Sequence, residues 1–284
     1  MTAPVIVGLD GSPASVTAAW WAARAALDRH APLLLLHSWT TQPLDVPIPQ
    51  EARSKQCYGE QVLHRMSAEL RHRHRGLTVA TELVSAPAAE ALLAHGEGGD
   101  LLVLGSRGHG SVASFLLGSI SLRVLSLARC PAVTVRAGDS AVETGWGHPP
   151  AADHDDIVAG VQHPGPDADP LLELAFAEAG SQGGRVRAVR ALPPSWRPGA
   201  GPWAAEGERL AAALEPWRRK YPDVPAVEQT AVGPAASVLL SASAHARLVV
   251  VGRRRRPHQP WRLGPVAHAA LRHAPCPVAV VPHD

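Results

Sequence analysis

The sequence of 284 residues has few cysteines, few aromatic residues and no long apolar run. Three cysteines, none of them in a Cys-x-x-Cys pair, are too few for a disulfide framework and are typical of a reducing compartment. No apolar run approaches the roughly 18 to 20 residues needed to cross a bilayer, and the start of the chain lacks the features of a signal peptide. These absences predict a cytoplasmic protein without a disulfide or a membrane span.

An excess of charge of one sign is also lacking. The chain has 27 lysine and arginine residues against 25 aspartate and glutamate residues, which gives a formal net charge of +2. This near balance argues against a general nucleic-acid binder and against a membrane-surface protein. Partners must therefore be inferred from individual sites.

The chain repeats itself, because residues 101–136 and 248–282 align at an offset of about 147 residues. Each segment contains an apolar run that ends in glycine, a later glycine, a Cys-Pro pair and a second apolar run. Residues 137–154, which lie between the copies, are rich in glycine, proline and small polar residues. We therefore predict a domain at 1–138, a linker at 139–154 and a second domain at 155–284.

Short apolar segments alternate with amphipathic segments in the first copy. The pattern predicts a loop at 43–49, helices at 13–28, 60–75, 88–95 and 119–128, and strands at 5–9, 33–37, 79–84, 101–104 and 133–136. This alternation is typical of an α/β fold, with a mostly parallel, doubly wound five-stranded sheet in each domain. Ligands of such sheets bind beyond the carboxyl ends of the strands.

The ends of the first and fourth strands carry the residues of greatest chemical interest. Asp10 follows the first strand, Gly105 to Gly108 follow the fourth, and Gly118 to Ser121 begin the next helix, so the pattern is G-x2-G-x9-G-S. Glycines let the backbone approach a phosphate, and a helix start offers N–H donors and a positive dipole end. The pattern suits a triphosphate, although it is neither a Walker A loop nor the dinucleotide fingerprint.

The stretches VLGSRGHGSVASFLLGSISLRVLSLARCPAVTVR and VIVGLDGSPAS closely resemble the universal stress protein family. The resemblance covers essentially the whole chain as a tandem pair, and residues 105–119 match the G-x2-G-x9-G-[ST] motif of its ATP-binding members. It implies a Rossmann-like fold of the adenine nucleotide alpha hydrolase-like type, with ATP and Mg²⁺ as ligands. It also implies that the fifth strands, 133–136 and 278–281, pack together as an intramolecular pseudo-dimer, with homodimerisation left open.

The resemblance further implies a role for individual residues of the first copy. Asp10 would lie near the ribose and adenine, and His37, Ser38 and Trp39 would line the adenine pocket. The ribose and phosphates would be surrounded by Leu104, Gly105, Arg107, Gly108, Gly118, Ser119, Ile120 and Ser121. Two alternatives remain: Asp10 serves only to start a helix, and the glycines form a tight turn without a ligand.

The second copy departs from the first at three positions, and the spacer before its last glycine is one residue shorter. Gln162 replaces Asp10, Arg255 replaces Gly108 and Pro265 replaces Ser119. Proline removes an N–H and the loss of serine removes a hydroxyl, so we predict a degenerate nucleotide site. The run 253–256, four arginines, either binds an anion through its guanidinium groups or forms a solvated charged loop.

These features predict an ATP-binding regulatory protein of the stress response. ATP in the first copy would alter a surface that a protein partner recognises. Such coupling requires ATP to bind one conformational state of the protein more tightly than the other. No positioned base, catalytic residue or resident metal site is evident, so the protein is predicted not to be an enzyme, or at most a slow ATPase. The alternatives are a nucleotide-independent scaffold and a slow ATP hydrolase that uses Asp10 with Mg²⁺.

Overall fold

The computed structural model describes residues 2–40, 49–106, 118–139, 142, 156–193, 195, 201–255 and 263–284. The chain divides into two compact units, residues 1–146 and 147–284. The predicted linker at 139–154 lies almost entirely outside the described residues, so its boundaries stay a prediction. Within the described residues, no helix has both the length and the apolar character that a membrane span requires.

Strands and helices alternate along the first unit. In chain order its elements are β1 (Val5–Gly8), α1 (Pro13–Asp28), β2 (Leu33–Trp39), α2 (Pro49–Arg73), β3 (Val79–Ser85), α3 (Ala88–Gly96), β4 (Leu101–Ser106), α4 (Ser119–Leu127) and β5 (Ala132–Arg136). The strands are short and strongly apolar, and β1 and most of β4 are buried. Burial on both faces is typical of strands in a parallel sheet that helices cover on both sides.

The second unit repeats this order. Its elements are β6 (Asp156–Gly160), a 3-10 turn (Pro166–Ala168), α5 (Asp169–Gln182), β7 (Arg185–Leu192), α6 (Gly201–Lys220), β8 (Ala226–Val232), α7 (Ala235–Ala242), β9 (Ala246–Arg254), α8 (Pro265–His273) and β10 (Val278–His283). The repeat that the sequence predicts is therefore a repeat of structure.

Every strand pair within each unit is parallel. The first unit has the order β3-β2-β1-β4-β5, and the second has the equivalent order β8-β7-β6-β9-β10. In each, the chain reverses its direction of travel across the sheet between two central strands, β1 and β4 or β6 and β9. The predicted fold class, two doubly wound α/β domains with parallel five-stranded sheets, is confirmed.

Helix α2 begins much earlier than predicted, at Pro49 instead of Glu60. Its first turns lack a clear apolar stripe and are stabilised by polar contacts instead. Lys55 Nζ lies 2.6 Å from Glu51 Oε1, and the Gln56 side-chain amide donates to Glu60 Oε1 at 3.1 Å. Of the predicted loop at 43–49, only the last residue is described, and it is the first residue of α2.

Strand β4 is longer than predicted and includes Gly105 and Ser106. These residues continue the pairing with β5, since Gly105 lies opposite Val135 and Ser106 lies opposite Arg136. The Ser106 hydroxyl donates to the Val135 carbonyl at 3.2 Å. The first glycine of the motif is therefore part of the sheet, and the prediction that it follows the strand is wrong.

Candidate functional site

The turn after β1 anchors the start of α1. Asp10 Oδ1 accepts hydrogen bonds from the Ser12 backbone N–H at 2.9 Å and from the Ser12 hydroxyl at 2.5 Å. Ser12 is the N-cap of α1, and its Oγ accepts from Ser15 N at 3.3 Å. Such a cap satisfies a donor that the helix itself cannot pair. The helix-start interpretation of Asp10 thus has direct support, and its role toward a ligand stays a prediction.

Gly105 brings the end of β4 against this same helix start. A Cβ at Gly105 would lie 2.5 Å from the carbonyl carbon and oxygen of Ala14 and 2.6 Å from Ser15 N. These are backbone atoms, so no side-chain rotation relieves the overlap. The first glycine of the motif is therefore required by packing between a strand and a helix, whether or not a ligand is bound.

Helix α2 closes over the ends of β1 and β2. Tyr58 donates a hydrogen bond to the Asp10 carbonyl at 3.1 Å, and a Cβ at Gly11, whose φ is +82°, would overlap the Tyr58 hydroxyl. A Cβ at Gly59 would lie 2.6 Å from His37 Cδ2. Tyr58 and Gly59 were not predicted as site residues, because only the long-range contact of α2 with β1 and β2 reveals them.

The three residues predicted for the adenine pocket have different surroundings. His37 is 6% exposed, and its ring meets that of Tyr58 edge to face at 6.0 Å between centroids. The Ser38 hydroxyl donates to the carbonyl of Ala86, beyond the end of β3. Trp39 is the last residue of β2 and is half-buried. Because side chains alternate along a strand, His37 and Trp39 share one face and Ser38 has the other.

The start of α4 has no side-chain cap among the residues that the structure describes. Gly118 is the N-cap, and a Cβ there would meet no atom of these residues within 4 Å. Ser119 and Ile120 are exposed, whereas Ser121 is 7% exposed. The first N–H groups of a helix lack intrahelical partners and lie at the positive end of its dipole. Arg107 and Gly108, the other predicted phosphate-binding residues, lie outside the described residues.

The structure places several of the predicted residues near one edge of the sheet. Asp10 lies two residues beyond the end of β1, and Leu104 and Gly105 lie close to the end of the neighbouring parallel strand β4, at the point where the strand order reverses. The crevice at such a reversal is where doubly wound sheets bind ligands. Within the part of the chain that the structure describes, no group of three or more His, Cys, Asp or Glu residues could hold a metal ion.

The second unit has different chemistry at the equivalent edge. Gly8 lies opposite Leu36 and Gly160 lies opposite Val189, so Arg190 occupies the position of His37. The Arg190 guanidinium donates to the Gln162 carbonyl and lies 2.5 Å from a carboxylate oxygen of Glu206, a residue of α6 that is 4% exposed. A buried ion pair therefore stands where the first unit has an imidazole.

The arginine run of the second unit is largely engaged within that unit. Arg253 is 6% exposed, and burial, together with the neighbouring Arg255 charge, lowers its pKa. Arg254 lies 3.1 Å from Asp167, and Arg255 lies 2.7 Å from Asp284. Arg256 is outside the described residues. The two exposed guanidinium groups that are described therefore already face carboxylates.

The start of α8 also differs from the start of α4. Pro265 is its first residue and follows the N-cap Gly264. Proline has no N–H, so one of the donors available at the start of α4 is missing here. The same edge of the second unit contains a cavity of about 380 Å³.

Two units, each with five parallel strands whose order reverses between two central strands, define a tandem, doubly wound α/β protein. The sequence profile of the universal stress protein family matches residues 1–136 and 154–282. Universal stress protein Rv2623 of Mycobacterium tuberculosis is 32% identical over 292 residues, which cover 97% of this chain and 95% of that protein. Universal stress protein Rv2005c of the same organism is 31% identical over 300 residues, with coverage of 97% and 96%.

A solved structure has the same fold. The crystal structure of a universal stress protein from Archaeoglobus fulgidus superposes with a TM-score of 0.75 at 16% identity, and the match covers 99% of this chain and 98% of that one. The chain belongs to the universal stress protein family, as the sequence resemblance indicated.

Proposed function

We propose that the first unit binds ATP, with Mg²⁺, and that the protein is a nucleotide-dependent regulator of the stress response. The observation that carries this proposal is the open, uncapped start of α4 beside the crevice between β1 and β4. The helix start supplies unpaired N–H groups and a positive dipole end, which favour a phosphate. The motif G-x2-G-x9-G-S runs along the chain from Gly105, near the end of β4, to Ser119, the first residue of α4.

Each predicted residue takes a part in the proposed complex. The phosphates and ribose would contact Leu104, Gly105, Arg107, Gly108 and Gly118 to Ser121, mainly through main-chain atoms. Asp10 would approach the ribose, and His37 to Trp39 would face the base. His37 Nδ1 is buried and has no hydrogen-bond partner among the described residues, so a bound base would give this nitrogen a partner.

We further propose a cytoplasmic, regulatory and non-enzymatic role. ATP in the first unit would change a surface that a protein partner reads. The two units would pack through their fifth strands as an intramolecular pseudo-dimer, and a homodimer stays an open alternative. Any hydrolysis of ATP would be slow, because no general base is positioned among the described residues of the crevice.

Calorimetric titration with ATP and Mg²⁺ tests the proposal, with Gly118→Val as the variant and Arg255→Ala as its control. One site per chain is expected. Gly118→Val should abolish binding without unfolding the protein, because its side chain would meet no atom of the described residues but would block the approach of a phosphate to α4. Arg255→Ala, in the second unit, should leave the affinity unchanged.

Other results would favour the alternatives. No binding at millimolar ATP would refute the proposal and leave a nucleotide-independent scaffold. Turnover well above a slow background, abolished by Asp10→Ala, would indicate a hydrolase. Two ATP sites per chain would show that the account of the second unit as degenerate is wrong.

A further inference from the structure

The second unit contains a cavity of about 380 Å³ at the carboxyl ends of its strands. It lies at the strand-order reversal between β6 and β9, and its volume falls within the roughly 300 to 1,000 Å³ of small-molecule sites. Gly160 and Val251, which lie opposite each other in the sheet, both line it. The loss of the nucleotide motif has therefore not closed this crevice.

The floor of the cavity is apolar. Leu171 from α5, Val189 from β7 and Leu239 from α7 line it, and each is 3% exposed. Val238 and Val266 add further apolar surface. Binding of an apolar ligand to such a lining is favourable by roughly 25 cal/mol for each Å² of apolar surface removed from water.

The cavity is poorly suited to a triphosphate. Pro265 at the start of α8 lines it and offers no N–H. The His283 imidazole lies across Gly252, the counterpart of Gly105, since a Cβ there would be 2.8 Å from His283 Nε2. The strand glycine of the second unit is therefore covered by an imidazole where Gly105 packs against the backbone of α1, and the start of α8 offers one N–H fewer than the start of α4.

Among the described residues that line the rim, one exposed ion pair is accessible to a ligand. The Arg254 guanidinium lies 3.1 Å from Asp167, both residues line the cavity, and their side chains are 43% and 51% exposed. Exposed pairs of this kind contribute at most about 1 kcal/mol, so an anion from a ligand can replace the Asp167 carboxylate on Arg254. Arg255 offers a contrast, because it pairs with Asp284 and does not line the cavity.

We propose that the second unit binds a small organic monoanion, a molecule with an apolar body and one carboxylate or sulfonate group. The apolar body fills the cavity over Leu171 and Leu239, and the anionic group takes the place of Asp167 on Arg254. This site is independent of the nucleotide site proposed for the first unit.

Fluorescence titration with two matched probes tests the proposal. Anilinonaphthalene sulfonate carries the anion, and phenyl-naphthylamine is its uncharged counterpart. One sulfonate probe per chain is expected, bound about tenfold more tightly than the uncharged probe, as a hydrogen bond to a charged group implies. Excess ATP should not displace it.

Variants on the rim distinguish the contact with the anionic group from nonspecific hydrophobic binding of the probe. Arg254→Gln should weaken binding of the sulfonate probe to the level of the uncharged probe. Asp167→Asn should tighten the sulfonate by about three- to fivefold, because its competitor for Arg254 is gone. Arg255→Gln and Asp284→Asn are the matched controls and should change neither affinity.

A variant on the wall tests the location. Val238→Trp should abolish binding of both probes, whereas Ser237→Trp, on the same helix but outside the lining, should not; circular dichroism verifies that both fold. Equal affinities for the two probes, an unchanged affinity in Arg254→Gln, retention of both probes in Val238→Trp, or displacement by ATP would each overturn the proposal. Failure of ATP to bind the first unit would leave it unaffected.

Discussion

Replacing Gly105 by alanine is expected to destabilise the first unit even in the absence of any ligand. The added Cβ would lie 2.5 Å from backbone atoms of Ala14, and an ordinary contact requires about 3.4 Å. The start of α1 or the end of β4 must therefore move by roughly 0.5 to 0.9 Å to relieve the overlap. That shift would also strain the hydrogen bonds between Asp10, Ser12 and Ser15.

The expected loss follows from two opposing contributions. Overpacking a close contact costs about 1 to 3 kcal/mol. Alanine reduces the conformational entropy of the unfolded chain relative to glycine, which returns about 0.4 to 1 kcal/mol. The net loss in the free energy of unfolding is therefore about 1 to 2 kcal/mol, which lowers the urea midpoint by roughly 0.5 to 1 M.

Gly118→Ala is the matched control, because its Cβ would enter open space at a φ of −61°. The weaker N-cap preference of alanine and the lower entropy of the unfolded chain nearly offset each other there. Urea unfolding followed by circular dichroism gives the midpoints, and hydrogen exchange of the α1 amides locates the loss. An unchanged midpoint in Gly105→Ala, or an equal loss in Gly118→Ala, would refute the packing argument.

Three further predictions concern buried charges and thiols. Arg190→Met should cost about 2 kcal/mol of unfolding free energy, because Glu206 Oε2 loses its partner in a buried position while Arg209 still pairs with Oε1, and adding Glu206→Gln should recover part of it in urea unfolding. Burial raises the pKa of Asp156, but hydrogen bonds from two β7 arginines outweigh it and lower the pKa. The stabilisation that the Asp156 carboxylate contributes is therefore present above about pH 4 and is lost in more acidic solution. In Asp156→Asn, the urea midpoint should decrease less than in the wild type between pH 7 and pH 3. Burial raises the pKa of Cys130 to about 11. A thiol reagent at pH 8 should therefore label one exposed cysteine per folded chain, and Cys57→Ser should abolish that reaction.

The fold was predictable because its signal is local and repeated. The inner strands are short, buried apolar segments, as in a parallel sheet covered by helices, and only the edge strands β3 and β8 are largely accessible. Ser12 followed by Pro13 marks the start of α1, as is typical of a helix N-terminus. The start of α2 was missed because its first turns show no clear apolar stripe. There the available signals were weaker, namely a proline at position 49 and the spacing of Glu51 and Lys55.

Only those candidate site residues that belong to the motif or directly follow a predicted strand could be predicted from the sequence. Asp10 and Gly118 stand at element ends, so their spacing along the chain places them at one sheet edge. The contacts of Tyr58 with Asp10 and of Arg190 with Glu206 join elements that are far apart in sequence. No local pattern specifies such contacts, because they depend on how each helix packs against the sheet.

The Arg190 contact also constrains how the second unit can change. Substituting glycine for Arg255 would restore one glycine of the motif, but the spacer before Gly264 would still be one residue shorter than in the first unit. Arg190 would still donate to the Gln162 carbonyl, and Pro265 would still lack an N–H. The differences between the two halves are spread over a strand, a loop and a helix start, so no single substitution reverses them. Conversion of the second crevice into a copy of the first would therefore require several concerted changes.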